Sequence, residues 1–213
     1  MITIHHQPIV LLTAAQRAAL ARIAYATEQP SGVVLLCGAA GVGKTLILAS
    51  VRNSPGGEMA LLPLEQLLDS LRVGEPLPGI LLVDDAHLAP SADLAEAVER
   101  SVGRCLVLAG RGRLLTLAGR DSRIDRRVRL RATLPPFGLS DSARLVVERI
   151  PGADGHGPSE EVVRTFHEIA AGIPAALLRL IDLAAVVAAA EPLQTISVND
   201  VEEIHRRLCL QAA

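Results

Sequence analysis

Residues 33–49 read "VVLLCGAAGVGKTLILA", a strand-length apolar run, then a glycine-rich loop, then a helix-forming run. No other feature restricts the fold of this chain as much. An apolar run without alternation suits a strand covered on both faces of a parallel sheet. Gly38, Gly41 and Gly43 carry no Cβ, so the backbone can turn tightly and aim successive N–H groups at phosphate oxygens. The helix that starts near Gly43 adds its positive dipole end. Lys44 is the one lysine among 21 lysine and arginine residues. Its ammonium is a compact point charge that fits a narrow loop from several directions, whereas a guanidinium is bulkier and needs a fixed approach. The pattern GxxxxGK[ST] between strand and helix therefore reads as a phosphate-binding loop. Gly38, Ala39, Ala40, Gly41, Val42, Gly43, Lys44, Thr45 and Leu46 are its candidate nucleotide-binding residues.

A second stretch, "ILLVDDAH" at 80–87, completes the candidate site. Four apolar residues carry the chain through the sheet and deliver Asp84 to the edge where the phosphates would lie. A carboxylate there suits Mg²⁺, with the Thr45 hydroxyl as a direct ligand. Asp85 is placed to orient or deprotonate an attacking water. ATP and Mg²⁺ are thus the expected ligands. His87 reads as structural or as a polar contact near the phosphates, and His5–His6 as surface, since no second cluster at ligand spacing accompanies them.

The order of the other segments predicts a doubly wound α/β core. Thr13 caps a helix to Ala26; strands follow at "VVLLC", "EMALLP", "GILLV", "CLVLAG" and "RVRLRAT", the last alternating as a more exposed strand does. Helices fall between them at "TLILASV", "LEQLLDSLR" and "SADLAEAVERSV", the last with Ser91 as cap. After "LPPFG" at 134–138 only helical patterns remain, with Ser140 and Asn199 as expected caps. The expected division is a nucleotide-binding core over 1–137 and a helical lid over 138–213.

Half the residues are apolar, with alanine and leucine standing in for aromatics; Tyr25, Phe137 and Phe166 are the whole aromatic set. That poverty argues against a base-stacking surface for single-stranded nucleic acid. The net charge of −2 gives no global field for a polyanion, although 111–131 gathers arginines against only Asp121 and Asp125. Cys37, Cys105 and Cys209 sit among apolar neighbours and read as buried free thiols of a reducing compartment. The N-terminus lacks a secretory pattern, and the apolar run 177–190 carries Arg179 and Asp182, so no membrane insertion is expected. A cytoplasmic location is the expectation.

The segments "LTAAQRAALARIAYA", "LLCGAAGVGKT", "ILLVDDAH", "LVLAGRGRL", "RIDRRVRLRATLPPFGLSDSARLVVERI" and "AAGIPAALLRLIDLAAVVA" follow one another as in the AAA+ ATPases. The sequence most resembles the general secretion pathway protein A (ExeA/GspA-like) group, related to the ATPases of transposition systems. That resemblance implies a five-stranded parallel core and a helical lid with ATP between them. It implies side-by-side assembly of subunits, one offering an arginine to its neighbour's γ-phosphate. Arg123 holds the matching position, with Arg126 and Arg127 in reserve; the same basic stretch also reads as a solvated or partner-binding face. Residues 9–12 resemble the segment that lines the adenine pocket.

Three departures bear on turnover more than on binding. Asp85 stands where the group has glutamate, Arg111 where it has a neutral polar residue, and Ala175 where a lid arginine belongs, with Arg179 one helical turn later. The expected function is a Mg-ATP switch with slow hydrolysis, with an export system as the setting the resemblance implies. A DNA-associating regulator of the transposition type and a non-hydrolysing ATP sensor that recruits a protein are the other two readings.

Overall fold

Strand β1, Gly32–Gly38, is buried along almost its whole length, because it lies inside a five-stranded parallel sheet of order β2-β3-β4-β1-β5. The other strands are β2 (Met59–Leu61), β3 (Ile80–Val83), β4 (Cys105–Gly110) and β5 (Val128–Leu134). The computed structural model describes residues 12–29, 31–54, 57–150, 157–190 and 196–211. Side chains of a strand alternate between faces, so β1 feeds two cores at once. Val34 and Leu36 pack with Ile23, Ile47, Leu48 and Val51 on one face. Val33 and Leu35 pack with Leu67, Leu94, Val98 and Leu114 on the other. The three-residue β2 and the alternating β5 close the two sheet edges, as their weaker apolar patterns require.

Helices α1 (Ala14–Thr27) and α2 (Lys44–Arg52) cover the first face; α3 (Leu64–Val73), α4 (Ser91–Arg100) and α5 (Gly112–Arg120) cover the second. Thr13 caps α1 as expected, within a capping box completed by Gln16. The other expected caps move. Pro90 precedes α4 and leaves Ser91 as its first residue, and Gly138 precedes α7 (Leu139–Arg149). Ser197, not Asn199, caps α10 (Val198–Gln211), trading hydrogen bonds with Asp200. A serine or asparagine is a cap only where the backbone turns extended just before the helix, and neighbouring residues decided that point.

Between β4 and β5, where charge dominates the pattern, the chain forms α5 and the short α6 (Ser122–Asp125). Leu114 and Ala118, one turn apart, are the buried anchors of α5. Arg127 is half-buried and closes the C-terminal end of α4. Its guanidinium donates to the carbonyls of Val98 and Ser101, the latter at 3.2 Å. Burial lowers its pKa from the usual arginine value. Arg127→Ala leaves those carbonyls without this partner, and urea unfolding is expected to register a loss of about 1–3 kcal/mol. A loss below ~0.5 kcal/mol, the ordinary scatter of surface changes, would show that water replaces the arginine.

The helices after β5 bury a third core, centred on Phe166 and shared by α7, α8 (Glu160–Ile169), α9 (Pro174–Ala190) and α10. Two backbone hydrogen bonds among the described residues tie this lid to the segments that follow β5 and β1: Phe137 N–H to Gly172 C=O at 2.8 Å, and Ala175 N–H to Gly41 C=O at 3.2 Å. Cys37 and Cys105 are buried free thiols, whereas Cys209 is exposed on α10, against the sequence expectation. Its apolar neighbour Leu208 turns to the lid core from another position on the helix. Among the described residues no helix is long and apolar enough to cross a membrane.

Candidate functional site

Parallel register brings the carboxyl ends of three strands to one edge. Cys37 in β1 stands beside Gly110 in β4, and Val83 in β3 beside Leu108. The loop after β1, the aspartates after β3 and Arg111 after β4 therefore meet. They line one cavity of about 1050 Å³ together with lid residues from α7 and α9. The sheet order also makes this the reversal point, since β1 lies between β4 and β5. Ligands of open α/β sheets settle at such a crevice.

The loop between β1 and α2 has the shape that glycine permits. Gly41 and Gly43 have φ of 78° and 101°, values that residues with a Cβ rarely adopt. A Cβ on Gly38 would come within 2.8 Å of the Leu134 carbonyl, and one on Gly43 within 2.8 Å of Gln16 Nε2. Gly43 is the residue before α2, which begins with no side-chain cap. Its first-turn donors have no side-chain acceptor, which suits an anion at that end.

Lys44 is 7% exposed, and its ammonium donates to the carbonyls of Gly38 (3.1 Å) and Ala39 (2.9 Å). Both acceptors belong to the loop, so the charge is held at the centre of the cradle. Thr45 Oγ1 donates to Asp84 Oδ2 at 2.5 Å, and the other Asp84 oxygen accepts the Asp85 N–H at 2.8 Å. A hydroxyl and a carboxylate at this separation form a hard oxygen pair, the donor type that Mg²⁺ prefers. Asp85 has φ of 49°, and its carboxylate faces solvent beside the buried His87 ring. Burial pushes the Cys37 thiol up from its usual value while nearby Lys44 pulls it down, so it remains a protonated core residue.

Ala40, Gly41, Gly43, Lys44, Thr45, Leu46, Asp84 and Asp85 all line the cavity, and so do Arg111 and Ala175. Gly38 and Ala39 act through the carbonyls that hold Lys44. Val42 turns its side chain into the core and gives its carbonyl to Gln16 at 3.3 Å. Leu12 lines the cavity; residues 9–11 of the expected adenine segment, and His5–His6, lie outside the described residues. Arg179 is exposed and is not on the wall, because α9 presents Ala175 and Leu178 there. Arg144 and Arg149 of α7 line the cavity instead, along with Gln16 of α1. Gln16 was legible as the third helical residue of a capping box. No local pattern marks the α7 pair, whose position depends on how the lid packs.

Arg123 lies off the cavity wall. Its guanidinium pairs with Asp121 at 2.6 and 3.0 Å and approaches Glu99 at 3.7 Å. The hydrogen bond to Asp121 raises its pKa and lowers that of the carboxylate. Arg126 is exposed, while Arg127 is committed to α4 and is no reserve for it. Much of the basic stretch is engaged within the chain: Arg113 with the His87 carbonyl, and Arg131 with Asp125.

No protein-family model matches the sequence, and no curated protein does. Solved structures do match. The Holliday junction branch migration motor RuvB of Thermotoga maritima aligns with a TM-score of 0.63 at 15% identity, over 91% of this chain and 68% of RuvB. Orc1 of Aeropyrum pernix, solved with DNA, aligns with a TM-score of 0.69 at 16% identity, over 93% and 66%. A Walker-type ATPase of Pyrococcus abyssi gives 0.64 at 12% identity, over 91% and 71%. This chain spans about two thirds of the length of these structures. At such identities the likeness is one of architecture, and the chain has the AAA+ P-loop NTPase fold, a parallel core followed by a helical lid.

Proposed function

We propose that this chain binds Mg-ATP between its core and its lid, hydrolyses it slowly, and uses the bound state to change lid angle or assembly. The observation that carries this reading is the convergence of Lys44, Thr45, Asp84 and Asp85 on one glycine-shaped cavity. In it, the loop N–H groups and Lys44 hold the triphosphate, and Lys44 exchanges its two carbonyl partners for phosphate oxygens. Mg²⁺ supplies charge neutralisation on the β- and γ-phosphates, with Thr45 and Asp84 as its protein-side donors. Asp85 accepts a hydrogen bond from the attacking water and orients it. Arg123 serves a neighbouring subunit after release from Asp121, which keeps oligomers part of the proposal. The core and lid act as two units, 1–137 and 138–213, hinged near Phe137. Membership of the secretion-type group, supported by segment order, and a cytoplasmic location extend the same reading.

Phosphate release by the full chain, measured with and without Mg²⁺, tests the assignment. Asp84→Asn is expected to lower turnover by roughly 10- to 100-fold and raise the Mg²⁺ requirement, since the metal loses its one charged protein-side donor. Turnover that is independent of Mg²⁺ and of Asp84 would remove the metal from the mechanism.

The ATP-sensor reading is favoured by one observation, that Ala175 occupies the lid position facing Gly41 and brings no charge to the phosphates. Clear hydrolysis in the same assay ends it. The DNA-associating reading gains from the DNA-bound neighbour Orc1 and loses from the pairing of its arginines within the chain. Absence of ATP-dependent, salt-sensitive DNA binding would retire it.

A further inference from the structure

Nδ1 of His87 is the one buried side-chain nitrogen or oxygen among the described residues that lacks a hydrogen-bond partner. His87 is 5% exposed, and native interiors rarely leave such an atom unpaired. The base of the side chain is held from two directions. The backbone carbonyl of His87 accepts from Arg113 of α5. Its Cβ sits against Gly110 at the end of β4, so closely that a Cβ there would come within 3.0 Å. The group it faces is the opposite in character. Nδ1 lies 3.7 Å from Asp85 Oδ1, and the Asp85 side chain is 65% exposed and free to turn. A swing of about 0.8 Å would bring the pair to ordinary N–H···O distance.

We propose that His87 is a positioning residue for Asp85, donating its Nδ1–H to the carboxylate and so fixing the oxygen that orients the attacking water. The role rests on the nucleotide reading above. It gives a physical account of the aspartate: a short acid on a left-handed backbone cannot choose its own direction, and a buried imidazole, whose backbone carbonyl is held by α5 and whose Cβ lies against β4, chooses for it. One Asp85 oxygen faces His87 and leaves the other for water. The arrangement requires a proton on Nδ1. A histidine that merely filled space would be replaceable by an apolar ring; a donor would not.

The test uses the full chain as His87→Phe, His87→Asn and Asp85→Asn, singly and as the His87→Phe/Asp85→Asn pair. His87→Phe should lower kcat about 10- to 100-fold while affinity for a fluorescent ATP analogue stays within about twofold. His87→Asn, which keeps a donor close to the Nδ1 position, should recover most of the loss. The double variant should fall no further than Asp85→Asn, because the two act as a unit. Imidazole ¹⁵N spectra should show a protonated Nδ1 whose resonance shifts in Asp85→Ala. An unchanged kcat in His87→Phe, no recovery in His87→Asn, or an unprotonated Nδ1 would each overturn the role. Should His87→Phe fail to fold, His87→Asn and the spectra decide it. Failure of the parent chain to bind ATP overturns the nucleotide reading instead; it removes turnover from every variant alike, and the spectra still report whether the pair forms.

Discussion

Lys44→Ala is expected to lower kcat/KM for ATP by roughly 10²- to 10³-fold, the range seen when one preorganised donor to a developing charge is removed. Lys44 is buried beneath the loop and, among the described residues, donates only to the carbonyls of Gly38 and Ala39. Those partners are neutral, so an arriving phosphate oxygen, fully charged, displaces them on electrostatic grounds. Without the ammonium the loop carbonyls would face the phosphates and repel them. Lys44→Arg separates charge from shape. It preserves the charge but widens the head group in a cradle so tight that a Cβ added at Gly38, Gly41 or Gly43 would come within 3 Å of its neighbours. It should therefore lose most of the activity as well. The measurements are phosphate release and titration with a fluorescent ATP analogue, beside a thermal melt to show the fold intact. Turnover that survives Lys44→Ala would reject the assigned site.

Gly41→Val should do damage of a different kind, to both stability and nucleotide affinity. Gly41 has φ of 78°, and a β-branched residue held there costs about 1–3 kcal/mol in strain. A Cβ would also meet the Ala175 Cβ and Ile173 Cγ2, each at 2.9 Å, and overpacking of this kind costs about 1–3 kcal/mol. The lid cannot move aside freely, because Ala175 N–H donates to the Gly41 carbonyl itself. The expected result is a urea midpoint shifted down with unchanged m-value, and ATP affinity reduced at least tenfold. Ala175→Gly in the Gly41→Val background removes one of the two clashes and should recover part of the stability. No loss in Gly41→Val would mean that loop and lid do not touch in solution.

Most of the sheet was readable from the chain because buried parallel strands are unbroken apolar runs. "VVLLC", "ILLV" and "CLVLAG" have no other plausible place than the middle of a covered sheet. The shape of the glycine-rich loop was readable for a local reason too: glycine spacing dictates backbone shape without help from distant residues. Helices α5 and α6 were not, since only Leu114, Ala118 and Ile124 are buried in a stretch otherwise rich in charge. Caps slipped by one or two residues at Ser91, Ser140 and Asn199, because Pro90, Gly138 and Ser197 took the positions just before those helices. Cys209 was misplaced because apolar neighbours in sequence lie on different sides of a helix.

The sequence by itself determined the class of fold, the glycine cradle, and the two acidic residues at the end of a buried strand, since each follows from local backbone and burial rules. Only the tertiary structure decided which long side chains reach that cradle. It placed Arg144 and Arg149 on the wall and left Arg179 outside. It occupied Arg123 with Asp121 and Arg127 with a helix end, and it set His87 against Asp85. The reason is geometric: a side chain's direction depends on how its helix or loop packs against segments far away in the chain, and no local pattern carries that information.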